Sequence, residues 1–419
     1  MDARVGETLT TTQISCGSSV PKFDLQLENL LAEGISGARQ REAAISESLG
    51  DLSENGVVLF GAGNLGQRTL SGLRALGIEP QCFVDNNKSA WGKLQEGVPV
   101  LSPADGAERF GNRATFIVTI WRAQATETMG SRIQQLRQLG CNTVIPFLPL
   151  YWKYSDLFLP HYMHDAPHRI HSQADRVREA LSLMGDDFSR SEYLSQMRFR
   201  LLGDFDALRE PVPGEIYFRD ELFSLNTNET FVDCGAFDGD TLQLFLGKSG
   251  QSFRRVIAFE PDPENYGKLA KNVALLSEAV GDRIKTYPVA TGKTNARVLM
   301  DVGKGVSSRI GGGNNEVECV TLDSVLNEER VTFIKMDIEG SELATLAGAK
   351  NLIRKDAPIL AISAYHQQSD LWNIPLFIRD INPQYSFYLR PHVLEGWDLV
   401  CYAIPPDRCS MPATSESQP

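Results

Sequence analysis

Phe231-Val232-Asp233-Cys234-Gly235-Ala236-Phe237-Asp238-Gly239-Asp240-Thr241 decides how this chain is read. It begins as an apolar strand, ends that strand on an acid, and places glycines at Gly235 and Gly239. Glycines there let the backbone turn sharply and let a ligand lie against it. A helix opening at the second glycine points its free N–H groups at that ligand. Val256-Ile257-Ala258-Phe259-Glu260 then reads as a second strand with an acid at its tip. Such an acid accepts hydrogen bonds from two ribose hydroxyls, the logic of dinucleotide folds. The bland alternative is a strand–turn–helix with a capping Asp.

Outward from this stretch, the α/β rhythm continues. Strands are expected at 230–234, 255–260, 284–289, 331–337, 358–364, 385–390 and 398–404, and helices at about 240–247, 263–279 and 340–354. The last two strands are separated by a short segment, which predicts an antiparallel hairpin at one sheet edge. The same rhythm occurs earlier, with strands at 57–60, 82–84, 115–119 and 142–145, and helices from Asn64 to about Leu76 and around 123–139. Alternation of this kind means a parallel sheet. Before it, 22–50 reads as one or two helices with Gly34 and Gly37 between them; 1–20 is Thr/Ser-rich and aperiodic, a loose tail. The stretch 151–222 is aromatic, His-rich and then helical around 173–205, a connector expected to pack on the second α/β unit. The division expected is 1–50 tail and helices, 51–150 Rossmann-like domain, 151–222 connector, 223–405 second domain and 406–419 tail.

Composition narrows the function. The chain has 419 residues, 42% hydrophobic and 22% charged, with net charge −12. An acidic protein is a poor partner for nucleic acid or an anionic membrane, both of which need a positive field. No stretch has the apolar length of a membrane span, and the first residues have no signal-peptide h-region. Seven scattered cysteines without a C-x-x-C fit reduced thiols, so a cytoplasmic location is expected.

The loop at 233–239 lacks G-x-G-x-x-G, and its carboxylate would repel a pyrophosphate. It suits a ligand carrying an amino acid group, as S-adenosylmethionine does. Together with Ala258-Phe259-Glu260-Pro261 and Ile334-Lys335-Met336-Asp337-Ile338-Glu339-Gly340-Ser341-Glu342, it resembles the FkbM family of class I methyltransferases over roughly 214–404. The resemblance implies a class I methyltransferase fold for this domain, which with the earlier strand–helix rhythm makes two Rossmann-like doubly wound sheets. It implies S-adenosylmethionine-dependent methylation of a hydroxyl on a sugar, glycan or natural product. By position, it puts Asp233, Gly235 and Gly239 at the methionine end of the cofactor, with Ala236, Phe237, Asp238 and Thr241 in the same loop. Glu260 and Pro261 would lie at the ribose, Val289 and Ala290 near the adenine, and Asp337 above the methyl group.

Asp337, Glu339 and Glu342 are the paired carboxylates of this reading, fit to position or deprotonate an acceptor. Acids there are also expected simply because they cap the following helix. His366 follows the fifth strand, and a neutral imidazole, of ordinary pKa about 6.5, makes a general base. A surface-loop histidine is the other reading. Residues 291–330 exceed a minimal connection, and Gly303, Gly305, Ser307, Ser308 and Gly311-Gly312-Gly313 suggest a mobile loop over the acceptor.

Two further patterns compete. Gly61-x-Gly63-Asn64-Leu65-Gly66 follows a strand and opens a helix, with Asp85 at the end of the next strand, the dinucleotide arrangement in context. It keeps open an NAD(P)-dependent oxidoreductase and a non-catalytic nucleotide-sensing or scaffold protein. Against the oxidoreductase, the unit has no obvious catalytic partner domain, and no Tyr-x-x-x-Lys occurs. Asp85-Asn86-Asn87, Trp91-Gly92-Lys93 and Gly97-Val98-Pro99-Val100 resemble small Rossmann-like domains attached to sugar-modifying enzymes. His161, His164, His168 and His171 have zinc-like spacing. Pro167 breaks any single helix that would align them, and Tyr151, Trp152, Tyr154 and Tyr162 favour an aromatic packing segment or an acceptor surface. No metal is assigned; a small-molecule or glycan acceptor is the expected partner, and homo-oligomerisation stays open.

Overall fold

The computed structural model describes residues 22–122, 127–301, 309–310, 313 and 315–410. The tail at 1–20, the proposed loop at Gly303, Gly305, Ser307 and Ser308, and the start of the expected helix at 123 lie outside the described residues.

Short apolar runs become strands buried on both faces, as a parallel sheet requires. The first sheet contains β1 (Val57–Phe60), β2 (Cys82–Val84), β3 (Leu94–Gln95), β4 (Val98–Leu101), β5 (Thr115–Val118) and β6 (Thr143–Pro146), in the order β3-β4-β2-β1-β5-β6. Every pairing but β3–β4 is parallel. β3 and β4 were not expected from the sequence: β3 has two residues, and Pro99 interrupts β4.

The second sheet contains β7 (Thr230–Cys234), β8 (Arg255–Phe259) and β9 (Ile284–Tyr287); further along the chain come β10 (Ala290–Thr291), β11 (Ala296–Asp301), β12 (Arg309–Ile310), β13 (Asn315–Val320), β14 (Phe333–Met336), β15 (Ile359–Ser363), β16 (Ser386–Pro391) and β17 (Leu399–Ile404). Its order is β16-β17-β15-β14-β7-β8-β9, parallel throughout except for β17. The expected hairpin is present, but its second strand is inserted beside β15, so β16 forms the edge. The chain therefore holds two mostly parallel sheets in an α/β architecture.

Some elements depart from expectation. β10 to β13 form a separate four-stranded sheet where a loop was expected over 291–330. The helix expected at 340–354 is two helices, Glu342–Ala347 and Lys350–Asp356. Asp370–Ile381 is a helix with Pro375 inside it. Gly34 opens the helix Gly34–Ser48 and Gly37 lies within it, so only Gly34 marks the break.

The connector covers the second sheet. Asp186 caps the helix Asp187–Leu202, accepting from Ser189 N at 2.7 Å. Ser189 Oγ accepts from Leu389 N at 2.9 Å on β16. Arg200, fully buried, donates to the carbonyls of Ala364 (3.0 Å), Gln367 (3.3 Å) and Gln368. One apolar core runs from β1 through the connector to one face of the second sheet, including Val57, Phe147, Phe199, Ile334 and Leu360. Phe231, Val256, Phe333 and Ile359 form a second core on the sheet's other face. Each fully buried side chain of this size contributes about 1.5–3 kcal/mol. Among the described residues, no helix is long and apolar enough to cross a membrane.

Candidate active site

The strand register builds the site. Asp233 on β7 and Lys335 on β14 are direct partners across parallel strands, so both side chains leave the same face. Lys335 Nζ lies 3.0 Å from Asp233 Oδ1, with side-chain exposures of 3% and 0%. It also donates to the carbonyl of Gly235 at 2.6 Å and sits over the Tyr217 ring, 5.4 Å from its centroid. A charge this deep survives only when paired. Burial pushes the Asp233 carboxyl up to about 6, against the pull of Lys335. Lys335 is itself held charged, because Asp233 and Asp337 outweigh its burial. Among the described residues, Asp233 Oδ2 has no hydrogen-bond partner.

The loop after β7 is already shaped. Gly235 has φ +80°, and a Cβ there would come within 2.0 Å of the Asp337 carbonyl. The glycine is thus required first by the neighbouring strand, not by a ligand. The N–H groups of Gly235 and Ala236 both donate to the carbonyl of Phe259 at 3.0 Å. Glu260 accepts from Phe237 N with one oxygen and from Asp262 N with the other, each at 2.9 Å. Burial raises this carboxyl to about 7 despite those two amides. With these amides used internally, the loop suits a cation or hydroxyls better than a pyrophosphate. Gly239 caps the helix Asp240–Lys248, Thr241 is buried in its first turn, and the Asp238 carbonyl accepts from Asn272 at 2.8 Å. Pro261 is half-buried at the head of the next turn, and Val289 and Ala290 follow β9 at the entry to the small sheet.

Six side chains converge at the ends of β14 and β15. Asp337 Oδ2 accepts from Tyr217 Oη at 2.9 Å, and Oδ1 from Tyr365 Oη at 3.3 Å. His366 Nδ1 lies 2.8 Å from Glu342 Oε1, which also accepts from Ile338 N at 3.0 Å. His366 Nε2 lies 3.4 Å from Asp337 Oδ1 and 3.9 Å from Glu339 Oε1. Burial pulls the imidazole pKa down, but Glu342, Glu339 and Asp337 outweigh it and push it up to about 10. The surrounding carboxylates thus favour the protonated ring over the neutral one that a general base requires. His366 is also buried, not on a surface loop. Burial pushes Asp337 up, yet His366 and Lys335 hold it below the usual carboxylate range. Glu342 is more than a helix cap, since it steers the imidazole ring.

Sequence reasoning missed Lys335, Tyr217 and the pairing of Tyr365. A lysine inside the apolar run Phe333–Met336 was the available signal, since a buried cation implies a buried acid nearby. Tyr217 carried none.

The first sheet holds the other glycine loop apart from this site. Ala62 N donates to Asp85 Oδ2 at 2.8 Å, and Asn87 N to Oδ1 at 2.8 Å. Gly66 is fixed by close approach, because a Cβ there would meet the Gly61 carbonyl at 1.9 Å. Gly63 caps the helix Asn64–Ala75, where Leu65 packs against the core, and has nothing within 4 Å. The histidines do not converge on one ion. His161 and His164 pair through their backbones, and His164 is buried against Trp121 and Phe199. His168 faces Glu42 at 2.9 Å and His171 faces Glu33 at 3.0 Å, tying the segment to the helix Gly34–Ser48.

Residues 233–388 match the model of the family described as the methyltransferase FkbM domain. No curated protein matches the sequence. Among solved structures, a methyltransferase FkbM from Methylobacillus flagellatus KT is 24% identical, with TM-score 0.71, covering 88% of this chain and 100% of that chain. A putative rRNA methylase from Clostridium thermocellum is 12% identical, covering 43% of this chain and 89% of its own, with TM-score 0.29. Fibrillarin from Aeropyrum pernix, in complex with S-adenosyl-L-methionine, is 13% identical, covering 43% and 69%, with TM-score 0.26. The first of these likenesses shows the fold; the other two carry no argument. The site described above, at the ends of β7 and β14, thus lies inside the stretch, residues 233–388, that matches the methyltransferase FkbM domain.

Proposed function

We propose that this chain methylates a hydroxyl of a sugar, glycan or natural-product acceptor, using S-adenosylmethionine as donor. The observation that carries the reading is the unpartnered Oδ2 of Asp233, fully buried at the carboxyl end of a central strand. Ligands bind there in open α/β sheets. An ammonium group would satisfy that oxygen, while Oδ1 stays with Lys335. Both Glu260 oxygens keep a lone pair for ribose hydroxyls after accepting from Phe237 and Asp262. These residues fit the donor, which when bound supplies an electrophilic methyl group on sulfur.

The chain's own groups do the rest. Asp337, held by two tyrosines, accepts a hydrogen bond from the acceptor hydroxyl and aims its oxygen. That proton becomes strongly acidic only as the oxygen takes up the methyl group, so a weakly basic carboxylate suffices to receive it. Positioning of this kind supplies much of the rate.

The test is calorimetric titration of the full chain with S-adenosylhomocysteine and, separately, NADH. Binding of the first alone is expected, weakened at least tenfold in Asp233→Asn. Binding of NADH alone would overturn the reading and move attention to Gly61–Gly66.

A further inference from the structure

We propose that Asp337, Glu339 and His366 form a binding site for a divalent cation of the Mg2+/Mn2+ class. Among the described residues, Asp337, Glu342 and His366 bring potential ligand atoms within 4.8 Å of one another; Glu342 spends its oxygen on His366 Nδ1, and Glu339 is the second carboxylate on the Nε2 side. A cluster of acids would not be enough. The added observation is His366 Nε2, which has no hydrogen-bond partner among the described residues although its side chain is only 2% exposed. It points at Asp337 Oδ1 from 3.4 Å and at Glu339 Oε1 from 3.9 Å. Those separations exceed an N–H···O hydrogen bond, whose usual range is about 2.7–3.2 Å. About 2.1 Å from each donor to a metal puts neighbouring donors about 3.0–3.4 Å apart, which the Asp337 separation meets and the Glu339 carboxylate would meet by closing in about half an ångström.

The outer partners fit the same account. A metal-bound histidine ordinarily donates its other nitrogen to a carboxylate, which fixes the ring and its tautomer. Here Nδ1 lies 2.8 Å from Glu342 Oε1, and the ion would take the place of the proton that the surrounding carboxylates otherwise hold on Nε2. The carboxylate ligand Asp337 is fixed in turn by Tyr217 and Tyr365. Two carboxylates and one imidazole make an oxygen-rich set suited to hard divalent ions. The charge balance agrees: three carboxylates surround one imidazole, while the nearest lysine, Lys335, is committed to Asp233. Asp337 and Glu339 keep 27% and 18% side-chain exposure, so the site opens to solvent on one side and leaves positions for water or substrate oxygen. That the ion holds the acceptor oxygen rests on the methyl-transfer reading above; the site itself does not.

The test is Mn2+ titration of the full chain after chelator dialysis, with free Mn2+ read by electron paramagnetic resonance and nitrogen coupling by spin-echo modulation. One bound equivalent is expected. Its nitrogen coupling should vanish in His366→Gln, and its affinity should fall at least tenfold in both His366→Gln and Glu339→Gln. Glu339 is partly exposed, so that variant keeps the test alive if the histidine variant fails to fold. Less than half an equivalent at millimolar Mn2+, or unchanged affinity in each folded variant, overturns the site. S-adenosylhomocysteine binding measured on the same samples separates the two proposals: Mn2+ bound without it leaves the ion site standing and sinks methyl transfer.

Discussion

Replacing Lys335 by Met tests how the site is held. The substitution keeps the volume of the side chain and removes its charge, leaving Asp233 at 0% exposure with no cation. Two losses follow, and they differ in pH dependence. The charged hydrogen bond to the Gly235 carbonyl disappears at every pH, costing about 1.5–3 kcal/mol. The second loss grows with pH. In the native protein burial already pushes Asp233 up to about 6, above its unfolded value of about 3.9. A raised acid makes folding less favourable as pH climbs from the unfolded value to the folded one. The native chain stops losing stability near pH 6, where the carboxyl ionises beside Lys335. The variant has no such partner, holds its proton longer, and goes on losing about 1.4 kcal/mol per pH unit. The gap between the two proteins should be nearly flat below pH 6 and about 2.7 kcal/mol wider at pH 8. At pH 8 the total is about 4–6 kcal/mol, in line with breaking a buried pair. Urea unfolding followed by circular dichroism at pH 5.5, 7 and 8 measures it. Adding Asp233→Asn to the variant should remove the slope and leave the flat part. A gap that stays level to pH 8, or a slope that persists in the double variant, would refute the reasoning.

Further outcomes follow from other contacts. Gly235→Ala should cost several kcal/mol, because its Cβ would lie 2.0 Å from the Asp337 carbonyl, whereas Gly63→Ala, with nothing within 4 Å, should stay within about 1 kcal/mol; paired thermal melts decide it. Arg200→Met strands three buried carbonyls around His366 and should destabilise by about 3–5 kcal/mol. Arg200→Lys should rescue little, since an ammonium lacks the planar fork, and a full rescue in urea titration would contradict this account. His171→Ala should lower stability by about 1 kcal/mol through loss of the Glu33 contact while leaving Mn2+ affinity unchanged; a drop in that affinity would return the histidine segment to consideration as a metal site.

Much of the second sheet was legible because its central strands are buried on both faces and so read as apolar runs, broken only by the paired Asp233 and Lys335. Phe231–Cys234, Val256–Phe259 and Phe333–Met336 are of that kind. β11 and β13 escaped notice because most of their residues are exposed or half-buried, which mixes charges such as Arg297 and Glu318 into the pattern. The helix Asp370–Ile381 hid behind Pro375, an ordinary signal for a break. Within the site, the positions of Asp233, Glu260 and Asp337 were readable from strand ends. The protonation of His366 was not, because it depends on Glu342 and Glu339 being folded back around the ring. Nor was Tyr217, which reaches Asp337 from more than a hundred residues away.

Arg200 and Tyr217 both lie upstream of the 233–388 stretch that matches the family model, yet both bond directly to the residues around the site. The stretch that matches the family model is therefore shorter than the set of residues that builds the site. A gene fusion that carried only the later stretch into a new protein would leave the Ala364 carbonyl without its guanidinium and Asp337 without one of its tyrosines. The helix Asp187–Leu202 and the turn before Tyr217 would have to travel with it. A cut between that helix and β7 would separate parts of one working piece.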